Sequence, residues 1–147
     1  YTFWKRSAPP PSMIIFDRPN RDLCSVKRTL TSSPLQALMM LNDPQYVEAA
    51  RVMAENSILY EEENIDKKLS VIFRKITGRV INKRELETLQ RFYIEEKEKF
   101  SKNPKKALSY LETGEKPINR KSEVIKTAAL ATVISGLMNT AESIIIK

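Results

Sequence analysis

The chain has 147 residues with 25 Lys+Arg against 18 Asp+Glu, so its formal net charge is +7. It has no histidine and a single cysteine, Cys24. An imidazole base, a Ser-His-Asp or Cys-His triad, a His-ligated metal, an internal disulfide and a four-Cys zinc site are thereby excluded from this sequence.

A chain of this length favours one domain with a real core. The expectation over 1–147 is a single helical domain or the C-terminal fragment of a larger domain, with an arm over 1–32 and a helical body over 33–147. Only three glycines punctuate the chain, which suits helices better than a sheet with many tight turns. The reading is all-α: an irregular bundle of about six helices behind an extended, Pro-rich N-terminal arm.

The arm carries four of the eight prolines within its first 19 residues. Prolines 9–11 remove three backbone donors and hold φ near −65°, which predicts extended chain. The apolar run 13–16 follows, long enough for an edge strand or a buried segment.

The first helix opens at Ser33-Pro34-Leu35-Gln36. This is a capping box: Ser as cap, Pro at the first helical position, Gln three residues after the cap. It runs through Leu41. Asp43-Pro44 repeats the device for a second helix to about Leu59, striped by Val47, Ala50, Met53 or Ala54, and Ser57-Ile58. Glu61, Glu62 and Glu63 form a solvated link. Asn64 or Asp66 caps a third helix to Ile76, with Leu69, Ile72-Phe73 and Ile76 spaced three and four apart. Gly78 is placed to stop it in a left-handed conformation.

Asn82 and Glu85 form a second capping box for a long helix over about 83–101. Leu86, Leu89, Phe92-Tyr93 and Phe100 share one side, and Glu95 and Lys99 make an i,i+4 pair on the wet side. Asn103-Pro104 opens a fifth helix with Ala107-Leu108 and Leu111 inward and Gly114 as its stop. Ser122 caps a sixth, to about Asn139. Its uncharged stretch 127–141 is shorter than the roughly 20 residues of a membrane span, so it reads as a buried helix. The apolar tail 144–146 needs a partner surface.

Candidate chemistry is sparse. The net charge is +2 over 1–60, +1 over 61–100 and +4 over 101–147. The most basic part, 102–126, includes Lys102, Lys105, Lys106, Lys116, Arg120, Lys121 and Lys126 but only one aromatic, Tyr110. That reads as a solvated face ahead of a phosphate-binding one. Trp4, Lys5 and Arg6 could stack on a sugar or base, or anchor the arm while the cations stay wet. Arg28, Gln36 and Asn42 form a polar set around the first helix. Arg28 could grip a carboxylate or phosphate, or pin the arm. Cys24 lies near Lys27-Arg28 with no base or resolving thiol, which reads as a packed or idle thiol. No carboxylate pair is held at helical spacing against an apolar wall, and no glycine pattern cradles phosphate.

The block CSVKRTLTSSPLQALMMLNDPQYVEAAR (24–51) resembles the C-terminal domain of unknown function of planctomycete-type cytochrome c domain proteins. YTFWKRSAPPPSM (1–13), FRKITGRVINKREL (73–86), NPKKALSYLETGE (103–115) and ALATVISGLMNTAESIIIK (129–147) resemble further segments of that domain. Lys27, Ser32 and Ala141 depart from its pattern.

The resemblance implies a C-terminal module of a large bacterial protein, secreted, periplasmic or envelope-associated. Any haem would lie in an upstream domain, and no catalytic residue or cofactor site carries over to this segment. A non-catalytic structural or interaction module that docks on upstream domains of its own chain is the expected function. One alternative is a wall of a redox or carbohydrate-active site completed upstream, with Trp4, Arg6 and Arg28 as contributors. A further alternative is nucleic-acid binding through 102–126.

Overall fold

A computed structural model describes residues 9–19, 26, 31, 33–60, 64–119 and 123–144. Among these the chain is all-α, with no strand. The order is α1 (Pro11–Ile15), α2 (Pro34–Asn42), α3 (Pro44–Tyr60), α4 (Ile65–Thr77), α5 (Lys83–Lys102), α6 (Pro104–Leu111), α7 (Val124–Met138) and α8 (Ala141–Ile144). Contacts divide the chain into two compact units, residues 1–39 and 40–147.

In the first unit Pro10 is extended, at φ −56° and ψ 130°. The extended run expected over 9–11 ends there, because Pro11 opens α1 and residues 13–15 are helical. Proline suits this position, since its fixed φ matches the helix and its missing N–H would have no intrahelical partner. The capping box at Ser33 forms as expected. The Gln36 N–H donates to Ser33 Oγ at 3.3 Å, and the Ser33 N–H donates to Gln36 Oε1 at 3.0 Å.

The second unit is organised around α7, which packs on α3, α4, α5 and α6. This helix is apolar on every side, as a central helix must be. Leu130, Val133 and Ile134 are at most 1% exposed, and the small Ala128, Ala129 and Ala131 let neighbouring helices come close. Its two threonine hydroxyls are satisfied by bonding backward along the helix. Thr127 Oγ1 donates to Glu123 O at 2.8 Å and Thr132 Oγ1 to Ala128 O at 3.0 Å.

Two apolar clusters meet on α7. The larger joins Ala50 and Ala54 of α3, Leu69, Ile72 and Phe73 of α4, and Leu130, Ile134 and Leu137 of α7. The smaller joins Phe100, Ala107, Leu111, Ala128 and Ala129. Each fully buried Leu or Ile contributes about 1.5–3 kcal/mol relative to exposure.

Local signals terminate these helices as the sequence predicts. Asp43 Oδ1 accepts the Gln45 N–H at 2.9 Å, and Asn64 Oδ1 accepts the Asp66 N–H at 2.9 Å. Gly78 ends α4 at φ 76°. Asn82 and Glu85 make the reciprocal cap of α5. Asn103 Oδ1 accepts the Lys106 N–H at 3.2 Å.

Three details differ from expectation. Leu108 is 43% exposed, not inward. Ala107 and Leu111 of the two-turn α6 lie four residues apart and take the buried side, and Leu108 sits a further 100° around the helix. Lys99 Nζ pairs with Glu96 at 2.6 Å, one residue from the expected Glu95. The helix α6 ends at Leu111, before Gly114, which instead shapes the following turn at φ 106°. Ser122, the acidic link 61–63 and tail residues 145–146 lie outside the described residues.

Candidate functional site

The first unit contains a polar node built on the amide of Gln36, which is 3% exposed. Besides closing the cap of α2, its Nε2 donates to Ile15 O at 2.7 Å and lies 3.3 Å from both Asp17 Oδ2 and Thr31 Oγ1. The Asp17 carboxylate accepts from the Thr31 N–H at 2.7 Å and from its hydroxyl at 2.6 Å. These Thr31 bonds hold the Asp17 carboxyl below its ordinary range. Asp17 sits at φ 52°, a left-handed conformation that Asp tolerates better than most residues. Gln36 therefore joins the end of α1 to the start of α2. It is a lock rather than a group presented to a ligand.

The surface of α2 inverts the usual pattern. Its sequence is PLQALMMLN, yet its buried residue is Gln36. Leu35 and Leu38, three residues apart and so on one face, are 55% and 56% exposed. Leu41 is 45% exposed.

Of the other sequence candidates, Asn42 is exposed at the last position of α2. Trp4, Lys5, Arg6 and Arg28, together with Cys24, lie outside the described residues.

The second unit buries a polar seam that sequence reasoning did not single out. Arg51 of α3 is fully buried, and its Nη1 meets Glu55 Oε1 at 3.0 Å. Its Nη2 donates to Lys116 O at 2.6 Å. Arg51 Nε has no partner among the described residues. One turn earlier, the Glu48 carboxylate accepts the N–H groups of Glu115 at 2.7 Å and Lys116 at 3.2 Å. The helix α3 thus grips residues 115 and 116 with two charged side chains, Glu48 and Arg51, while Glu55 Oε1 lies 3.4 Å from the Asn119 N–H. The available signal was their spacing: Glu48, Arg51 and Glu55 fall on one helical face beside Val47 and Ala54.

A second hub is Arg79. Its guanidinium meets Glu85 Oε1 at 2.5 Å and Glu142 Oε2 at 2.7 Å, and lies 4.7 Å above the ring of Phe73. The Arg79 bond, together with the Asn82 N–H, holds the Glu85 carboxyl at about 2. Both carboxylates on Arg79 keep its guanidinium charged. These contacts tie α8 to the turn between α4 and α5.

Among the described residues no group of three His, Cys, Asp or Glu side chains could hold a metal. Within the basic stretch Lys102, Lys105, Lys106 and Lys116 are exposed, and Lys126 pairs with Glu123 at 2.9 Å. Among the described residues no helix is long and apolar enough to cross a membrane.

None of the curated proteins matches this chain, and none of the solved structures does. A family model does match, over residues 1–93. Its description is "PSD1: Protein of unknown function (DUF1553)". The match takes in the polar node, α2, the buried Arg51–Glu55 pair, and Arg79 with Glu85 but not Glu142, and it stops inside α5. By that match the chain belongs to the PSD1 family of proteins of unknown function, DUF1553.

Proposed function

We propose that this chain is a non-catalytic structural and interaction module of a larger bacterial envelope protein, docking on other domains of the same polypeptide. The observation that carries the reading is the surface of α2. Leu35 and Leu38 face solvent while Gln36 takes the protected position. Leaving two leucines this exposed on one helical face forgoes roughly 1 kcal/mol or more apiece, which an occupant of that face would recover.

The larger context rests on the resemblance of 24–51 and its companion segments to the C-terminal domain of cytochrome c domain proteins. In that reading any haem belongs to another domain, and this module contributes position rather than chemistry.

The test is made in the complete polypeptide. Cross-linking with mass spectrometry is expected to join residues near α2 to other domains, and Leu35→Lys/Leu38→Lys is expected to abolish those links. Links that survive the double substitution, or a wild-type protein without them, would overturn the reading.

A further inference from the structure

The second unit carries a groove that neither the buried seam nor the Arg79 hub uses. Its volume is about 430 Å³. The outer face of α4 supplies Val71 and Arg74, the turn after Gly78 supplies Val80 and Ile81, and the first turn of α5 supplies Lys83 and Leu86.

The groove is held in shape from below and from both ends. Ile81 and Leu86 also pack on the larger apolar cluster, so the floor is part of the core. Gly78 closes α4 in a left-handed conformation, and the reciprocal Asn82–Glu85 cap starts α5 four residues later. A partner would therefore meet a site already ordered, with little conformational freedom left to lose. Its apolar rim is open to solvent: Val71 is 40% exposed and Val80 is 75% exposed.

The charge around it is of one sign. Arg74 and Lys83 are exposed on its margin, and no carboxylate lines it. No ion pair forms at either cation among the described residues, whereas Arg79 close by is held by two carboxylates. The sequence explains the excess. Positions 67–84 contain seven Lys and Arg residues and no Asp or Glu. A net count over 61–100 hides this, because the acids fall at 61–66 and from 85 onward.

We propose that this groove binds an acidic peptide segment of a partner protein, anchored by apolar side chains. Those side chains seat on Ile81 and Leu86 between Val71 and Val80, while flanking carboxylates meet Arg74 and Lys83. The concave apolar floor favours a peptide over a bilayer, whose surface cannot enter it. The groove also has no aromatic side chain on which a nucleic-acid base could stack. The site lies wholly in the second unit and does not depend on the leucines of α2, so either reading can fail alone.

The test titrates the 147-residue chain against a fluorescein-labelled peptide of alternating Glu and Leu. A Lys-Leu peptide is the control, and anisotropy is read at low and high salt. The acidic peptide is expected to bind, more weakly as salt rises, and the basic peptide not to bind. Arg74→Glu/Lys83→Glu is expected to weaken binding by about tenfold or more, and Val80→Asp to weaken it as well, with the circular dichroism melt unchanged. No binding of the acidic peptide, equal binding of the two peptides, or indifference to the double substitution would each overturn the proposal. So would preferential capture by phosphatidylglycerol vesicles or by duplex DNA run in parallel.

Discussion

The Arg51 guanidinium and the Glu55 carboxylate meet at 3.0 Å, one turn apart on α3, with both side chains out of water. At the surface such a pair contributes little, because water screens it and the side chains must give up freedom. In the interior the balance changes. The two charges are costly to bury, and each makes the other tolerable. The pair also serves the chain beyond α3: Arg51 holds Lys116 O, and Glu55 Oε1 lies 3.4 Å from the Asn119 N–H.

Removing one partner is therefore expected to cost more than removing both. Glu55→Ala leaves a buried cation without its counter-ion and should lower stability in urea by about 3–5 kcal/mol. Arg51→Met/Glu55→Leu should recover much of that loss. A Glu55→Ala protein within about 1 kcal/mol of wild type would show that the pair is not buried as described.

Gly114 is expected to resist substitution for two separable reasons. A Cβ there would collide with Glu48 Oε2 and sit 2.7 Å from Glu48 Cβ, and the backbone φ is 106°. Gly114→Ala should cost about 2 kcal/mol or more in a denaturant titration. Measured against Glu48→Ala alone, Gly114→Ala should cost less than in wild type, because the carboxylate contacts are gone, but not nothing, because the Cβ contact and the backbone strain remain. No cost in the Glu48→Ala background would assign the whole cost to the Glu48 carboxylate.

The Arg79–Glu85 contact carries a pH dependence whose sign can be worked out. The Glu85 carboxyl lies at about 2 in the folded chain, below the ordinary 4.5. Its stabilising effect is present above about 4.5 and is lost as pH falls towards 2. Both groups are substantially exposed, so solvent screening keeps the effect small. Carbon-13 NMR of the Glu85 carboxyl should place its midpoint near the low end, and Arg79→Gln should move it back towards 4.5. An unchanged midpoint in Arg79→Gln would remove Arg79 as the cause.

Gln36→Ala is expected to loosen the first unit. The substitution takes the acceptor from the Ser33 N–H and the donor from Ile15 O. The cost should be about 1–2 kcal/mol, in line with losing a helix cap and a protected hydrogen bond. Amide hydrogen exchange at Ser33 is the direct reading. Exchange as slow as in wild type would mean that Gln36 does not lock this node.

Much of the helical body is legible in the chain itself. Ser33, Asp43, Asn64, Asn82 and Asn103 announce helix starts, and their bonds to nearby N–H groups span only two or three residues. Such signals are local, so sequence neighbours suffice to read them. The apolar stripe of α4 and the uncharged length of α7 likewise predict which residues are buried. Residue types alone exclude histidine chemistry and an internal disulfide.

Tertiary structure decided the rest, because the decisive partners are far apart in the chain. Gln36 as a lock needs Ile15, 21 residues away, and Arg51 as a buried cation needs Lys116, 65 residues away. Arg79 directly follows the Gly78 helix stop in the sequence, and its role as a hub depends on Glu142, 63 residues on. The groove beside Arg74 and Lys83 is closer-knit in sequence, within residues 70–86, yet its concave shape depends on α4 packing against α5. The run of cations over 67–84 is legible in the sequence, but the packed helices decide which of them are held by carboxylates, as Arg79 is by Glu85 and Glu142, and which face solvent, as Arg74 and Lys83 do.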